Sequence, residues 1–125
     1  MITLKRNEYI SYDSVKHNPS WSGLKKAYCK TIDVALHENT INGLKVYITG
    51  TKNENIAFSS TIIPVLLEGD ECEKVHYLLF SDEPLTQIKK RYLIDNIGNK
   101  YRMKPVARCP YIYYSYPIID LEKCN

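Results

Sequence analysis

Glycine is scarce in this 125-residue chain, and the five present, at positions 23, 43, 50, 69 and 98, never approach Gly-x-Gly spacing. A phosphate-cradling loop or a dinucleotide fingerprint needs that spacing, so both are excluded. The chain also lacks a Gly-x-Ser-x-Gly elbow, a His-Glu-x-x-His helix and any kinase element, which removes the common hydrolase, metalloprotease and kinase grammars. Long apolar runs are missing too. The longest, residues 62–67, is far too short to cross a bilayer, and the opening MITLKRNEY has no signal-peptide core. The expectation is a cytoplasmic protein with no membrane partner.

Cysteine is sparse and dispersed: Cys29, Cys72, Cys109 and Cys124 form no Cys-x-x-Cys pair. That spacing excludes a zinc knuckle or redox dithiol, and without a secretion signal free thiols are expected. Neither Cys29 nor Cys72 has an adjacent cationic activator, so a nucleophilic role is not expected. The three histidines, His17, His37 and His76, have no ligand spacing between them. Glu68, Asp70, Glu71 and Glu73 crowd one segment, but without the pattern and glycine of a calcium loop. No metal and no cofactor are expected.

What is present is an ordinary globular composition, 44% hydrophobic and 25% charged, at a length that fits a single domain over residues 1–125 with one core. Two biases stand out: eleven tyrosines against two phenylalanines, and thirteen lysines against four arginines. Ile, Lys, Asn and Tyr supply 47 of the 125 residues, as in proteins written by AT-rich genomes such as those of phages, mobile elements or low-GC bacteria. The net charge of +3 conceals segregation. Residues 67–83 hold six acids and one lysine, while 84–108 hold seven bases and one acid. Cross-strand pairing between these two segments would neutralise both.

Periodicity predicts one helix, from Trp21 to about Glu38 with Ser20 as N-cap, its apolar face carrying Trp21, Leu24, Tyr28, Ile32, Ala35 and Leu36. A short strand is expected in the first ten residues. Further strands are expected at 44–49, 56–67, 75–81, near 88–95, 100–108 and 111–118, separated by turn-rich breaks. Residues 87–93 read equally well as a short helix. Pro64 inside its strand implies a bulge, a break or an edge. The fold class is therefore α+β, one amphipathic helix packed on a twisted antiparallel sheet of about five or six strands.

The most informative stretch is residues 100–116. At period two, Lys100, Arg102, Lys104 and Arg108 share one face. Alternate residues lie about 6.6 Å apart, which permits contact with successive phosphates, and tyrosines alongside offer stacking faces. The competing account makes them the solvent face of an edge strand that Pro105 and the lysines protect from aggregation. The following tyrosines, Tyr111, Tyr113, Tyr114 and Tyr116, make both faces of the last strand apolar or aromatic, as in a protein interface. Among the histidines, His76 is the best placed by sequence to act as a general base.

Missing catalytic grammar, segregated charge and surplus tyrosine point first to a non-enzymatic protein-binding module. An inhibitor or immunity-type protein of a phage or mobile element, acting on a nucleic-acid-processing enzyme, fits that description. Its partner-binding residues would be Lys100, Arg102, Lys104, Arg108, Tyr111, Tyr113, Tyr114 and Tyr116. The alternatives are nucleic-acid binding through the basic strand 100–108, or a small metal-independent ribonuclease using His76.

Overall fold

A computed structural model describes residues 1–12, 29–52, 55–70, 72–111 and 114–125. Its elements run β1 (Ile2–Leu4), a 3-10 turn (Arg6–Glu8), β2 (Ile10–Ser11), α1 (Lys30–His37), β3 (Leu44–Thr49), β4 (Ile56–Leu67) and β5 (His76–Leu79). They continue with α2 (Leu85–Ile88), β6 (Tyr92–Ile94), β7 (Lys100–Tyr111) and β8 (Tyr114–Lys123). Strand dominates. The sheet has eight strands rather than five or six, and it is mixed, because β1 pairs parallel to β4 while the other pairings are antiparallel.

The pairings close on themselves. From β4 the order runs through β3, β6, β7, β8 and β5, and β5 pairs back to β4, so six antiparallel strands form a continuous circuit. Closure leaves no free edge around that ring, which answers the aggregation hazard of an open sheet. The two twelve-residue strands, β4 and β7, each carry two successive neighbours on one side. On β4, β3 pairs as far as Ile62 and β1 takes over at Val65. On β7, β6 pairs as far as Arg102 and β2 takes over at Ala107. Pro64 and Pro105 fall in these two gaps, where a residue without an N–H interrupts no ladder. The break implied by Pro64 is thus a change of neighbour within an unbroken strand.

Burial on both faces explains the near-continuous apolar run of β4. Ile62 joins Val46, Ile48, Leu79, Ile88, Leu93, Met103 and Ile119 in one cluster. Its neighbour Ile63, with Val65 and Leu67, turns to the opposite face and joins Leu4, Ile32, Leu78, Ala107, Ile118, Cys29 and Cys109 in a second. The first cluster is enclosed by the strand circuit; the second is covered by α1 and β1. Of the expected helical face, Ile32 and Ala35 are buried, whereas Leu36 is exposed together with Val34. Trp21, Leu24, Tyr28 and the Ser20 cap lie outside the described residues.

The start of α1 is fixed from two directions. Glu8, buried at the end of the 3-10 turn, accepts hydrogen bonds from the backbone N–H and hydroxyl of Thr31 at 2.7 and 2.8 Å and from the Lys5 N–H at 2.8 Å. A carboxylate here satisfies orphan helix N–H groups and complements the helix dipole. On the other side, the Cys29 N–H donates to the Pro110 carbonyl at 2.9 Å, and Cys29 is disulfide-bonded to Cys109. This corrects the free-thiol expectation for two of the four cysteines; Cys72 and Cys124 are free. The pairing joins residues 80 positions apart, a proximity that only the tertiary fold creates. Disulfides of this kind persist in oxidising surroundings, so the cytoplasmic expectation rests on the sequence alone. Among the described residues, no helix is long and apolar enough to cross a membrane.

Candidate functional site

The basic ribbon expected along residues 100–108 is divided by a bulge. In β7 the register with β8 shifts between Pro105 and Ala107, and one extra residue reverses side-chain parity. Up to the bulge, Arg102 and Lys104 lie opposite Glu122 and Asp120. Beyond it, Ala107 takes the face that Lys104 occupied, and Arg108 turns to the other side. Arg108 is 1% exposed, its Nε donating to the Ser115 hydroxyl at 2.5 Å and its Nη2 to the Ser115 carbonyl at 2.9 Å. Burial pushes its pKa down to about 10, with Asp82 pulling the other way, so the guanidinium is charged at neutral pH. It is a structural cation and cannot share a surface with Lys100, Arg102 and Lys104.

Neutralisation of the ribbon comes from two sources: Asp82 of residues 67–83 favours the charged form of Arg108, and β8 faces Lys104. Lys104 is ion-paired with Glu122, whose carboxyl is held below the usual range by that hydrogen bond and charge. Among the described residues, the acidic segment meets the basic segment 84–108 directly at one point. Glu83 takes Arg91 in a two-pronged pair at 2.7 and 2.8 Å, while Arg91 also donates to the Thr49 carbonyl at 2.9 Å. Asp70 bonds to His76.

That histidine is 5% exposed. Its Nδ1 lies 2.6 Å from an Asp120 oxygen and its Nε2 2.9 Å from an Asp70 oxygen, with Lys74 Nζ at 2.9 Å from the second Asp120 oxygen. Carboxylates only accept, so both bonds are made together when both ring nitrogens carry protons. No ring lone pair is then left to take a proton from a substrate or to ligate a metal. The arrangement is a hydrogen-bonded clasp around a buried imidazole that ties the segment between β4 and β5 to β8. Among the described residues, no group of three or more His, Cys, Asp or Glu side chains could hold a metal ion.

The tyrosines divide as well. Tyr111 ends β7 and pairs with Tyr114 at the start of β8, so the single last strand expected over 111–118 is instead the junction of two. The Tyr111 hydroxyl donates to Asp33 at 2.9 Å, and its ring stacks on Tyr116 with centroids 6.0 Å apart. Tyr116 meets Phe80 edge-on at 5.1 Å and packs against the α1-side core. These two rings are partly buried packing elements. Tyr113 lies outside the described residues, as does the side chain of Tyr114.

The cations that remain converge elsewhere. A groove of about 780 Å³ is lined by Tyr12, Thr51, Lys52, Thr86, Lys89, Lys90, Tyr92 and Arg102. Four segments build it: the residues after β2, the turn after β3, the α2–β6 corner and the start of β7. Local sequence explains the corner. In LTQIKK, Leu85 and Ile88 are buried at i, i+3 spacing, which turns Thr86, Lys89 and Lys90 to the exposed side. Pairing of Tyr92 with Arg102 across β6 and β7 then sets a ring beside a guanidinium. Lys100 Nζ and Arg102 Cζ sit over that ring at 4.5 and 5.1 Å from its centroid, held by its negative π-face.

Among the described residues, none of Lys52, Lys89, Lys90 and Arg102 is engaged in an ion pair, in contrast to Lys74, Arg91 and Lys104. Among the described residues, no carboxylate lines the groove. The geometry therefore concentrates positive charge, hydroxyls and aromatic surface in one concave place. Of the residues singled out by sequence, Arg102 lines this groove and Lys100 adjoins it; Lys52, Lys89, Lys90, Tyr12 and Tyr92 were not foreseen. Their only sequence signal was the Lys89-Lys90 pair within the basic segment. No protein-family model, curated protein or solved structure matches the chain.

Proposed function

We propose that this protein binds nucleic acid through the basic groove and acts by binding rather than by chemistry. The observation that carries the proposal is the convergence of Lys52, Lys89, Lys90 and Arg102 in a groove that, among the described residues, no carboxylate lines. Lysine, arginine, threonine and tyrosine are among the side chains that contact phosphates, and the described residues of the site are all of these types. The reading keeps the nucleic-acid alternative from the sequence but moves it from the strand 100–108 to the α2–β6–β7 corner. The ribonuclease reading loses support because His76 has both nitrogens committed to carboxylates. The tyrosine interface of a protein-binding inhibitor loses support because Tyr111 and Tyr116 are spent on packing.

Fluorescence anisotropy with a short single-stranded oligonucleotide tests the proposal. Wild-type protein binds at low salt, and the charge reversal K89E/K90E weakens binding by roughly tenfold or more. Absence of binding by the wild type, or equal binding by the variant, defeats the proposal. Capture of an acidic protein by the same groove, with no oligonucleotide bound, would return the protein-partner reading to first place.

A further inference from the structure

We infer that the groove recognises a run of phosphates and does not read the bases they carry. The inference rests on the nucleic-acid reading above and narrows it to a ligand chemistry. The strongly discriminating base-edge contacts are an amide to adenine, a carboxylate to the cytosine amino group, and an arginine or lysine to guanine; threonine contacts either purine or pyrimidine without choosing between them. Among the described residues, the groove contains no Asn, Gln, Asp or Glu. Its one arginine, Arg102, lies against the Tyr92 ring at 5.1 Å. Its lysines are point charges on flexible stems, without the rigid fork that fixes an arginine on one base.

The same contacts define what Tyr92 does. Base stacking requires an open ring face, yet Lys100 and Arg102 both lie over this ring. Tyr92 thereby holds Arg102, and lines the groove with it beside Lys89 and Lys90. Tyr92 is a positioning residue for the cation cluster. A phosphate chain from any source presents the anions this cluster fits, whether the phosphates belong to a nucleic acid or to inorganic polyphosphate.

The test measures binding of the full chain, by anisotropy and calorimetry, to oligonucleotides of single base composition and to inorganic polyphosphate at matched phosphate concentration. Affinities within about threefold of one another across all probes are the expected result. Oligonucleotide binding that varies more than about tenfold with base composition overturns the inference and leaves the nucleic-acid reading standing. So does oligonucleotide binding that polyphosphate fails to displace. Binding of polyphosphate without any oligonucleotide removes the nucleic-acid reading and supports recognition of phosphate chains. If no probe binds, both fall. A Tyr92→Leu variant gives an independent readout: it weakens polyphosphate and oligonucleotide by the same factor. A stacking role would instead weaken the oligonucleotide alone, by roughly fivefold or more.

Discussion

Reducing the Cys29–Cys109 disulfide is the perturbation whose size follows most directly from the fold. The bond joins residues separated by 80 positions, and loop-closure entropy for a loop of that length amounts to about 4.5 kcal/mol lost from the unfolded state. Against the roughly 5–15 kcal/mol total of a typical domain, this is a large share. Both cysteines are fully buried in the α1-side core, so the reduced thiols keep their packing and the difference isolates the cross-link. Urea denaturation followed by circular dichroism, with and without reductant, is the assay. With a slope of about 1.5–2 kcal/mol/M, the midpoint falls by roughly 2–3 M on reduction. Alkylation of the urea-unfolded, unreduced chain should label two cysteines, Cys72 and Cys124, with four labelled after reduction. Four labels before reduction, or identical midpoints in the two conditions, would refute the reasoning.

Further outcomes follow from the buried polar contacts. Glu8→Ala strips the cap from α1 and leaves the Thr31 N–H and hydroxyl without their acceptor, which costs about 2–4 kcal/mol in chemical denaturation; Glu8→Gln recovers part of it. His76→Leu removes both hydrogen bonds of the ring to Asp70 and Asp120, and thermal melts should show a lower melting temperature. Acid has a defined sign. The His76 hydrogen bond holds the Asp70 carboxyl below its usual range, and Lys104 does the same for Glu122. Their contribution is complete above the unfolded values near about 4 and is lost as pH falls through the lower folded values. Melting temperature should therefore decline below about pH 4, and His76→Leu should flatten the part due to Asp70.

Local chemistry explains which parts of the fold were legible in sequence. β3 and β4 occupy the expected residues 44–49 and 56–67, because β-branched runs bounded by turn residues specify strands locally. The segment expected near 88–95 divides into α2, ending at Ile88, and β6, beginning at Tyr92; a four-residue helix is too short for periodicity to separate from a strand. Ring closure, the parallel β1–β4 pairing and the Cys29–Cys109 bond depend on contacts far apart in sequence. Periodicity carries no record of them. Arg108 is the instructive failure. An alternating pattern assigns it to the face of Lys104, but a single bulge residue at Val106 reverses the parity and buries it. The groove was illegible for a related reason: its lysines and tyrosines come from four segments that become neighbours only when β3, β6 and β7 pair.

The central claim, that this groove gathers phosphates by charge, is tested most directly by the salt dependence of oligonucleotide affinity. Among the described residues, four cations line the groove, Lys52, Lys89, Lys90 and Arg102. If each neutralises one phosphate of a single strand, the logarithm of the binding constant falls with the logarithm of salt concentration at a slope of about −2.8. K89E/K90E should reduce that slope by about 1.4 or more. Affinity that stays constant as salt rises, or a slope unchanged in K89E/K90E, would contradict the account.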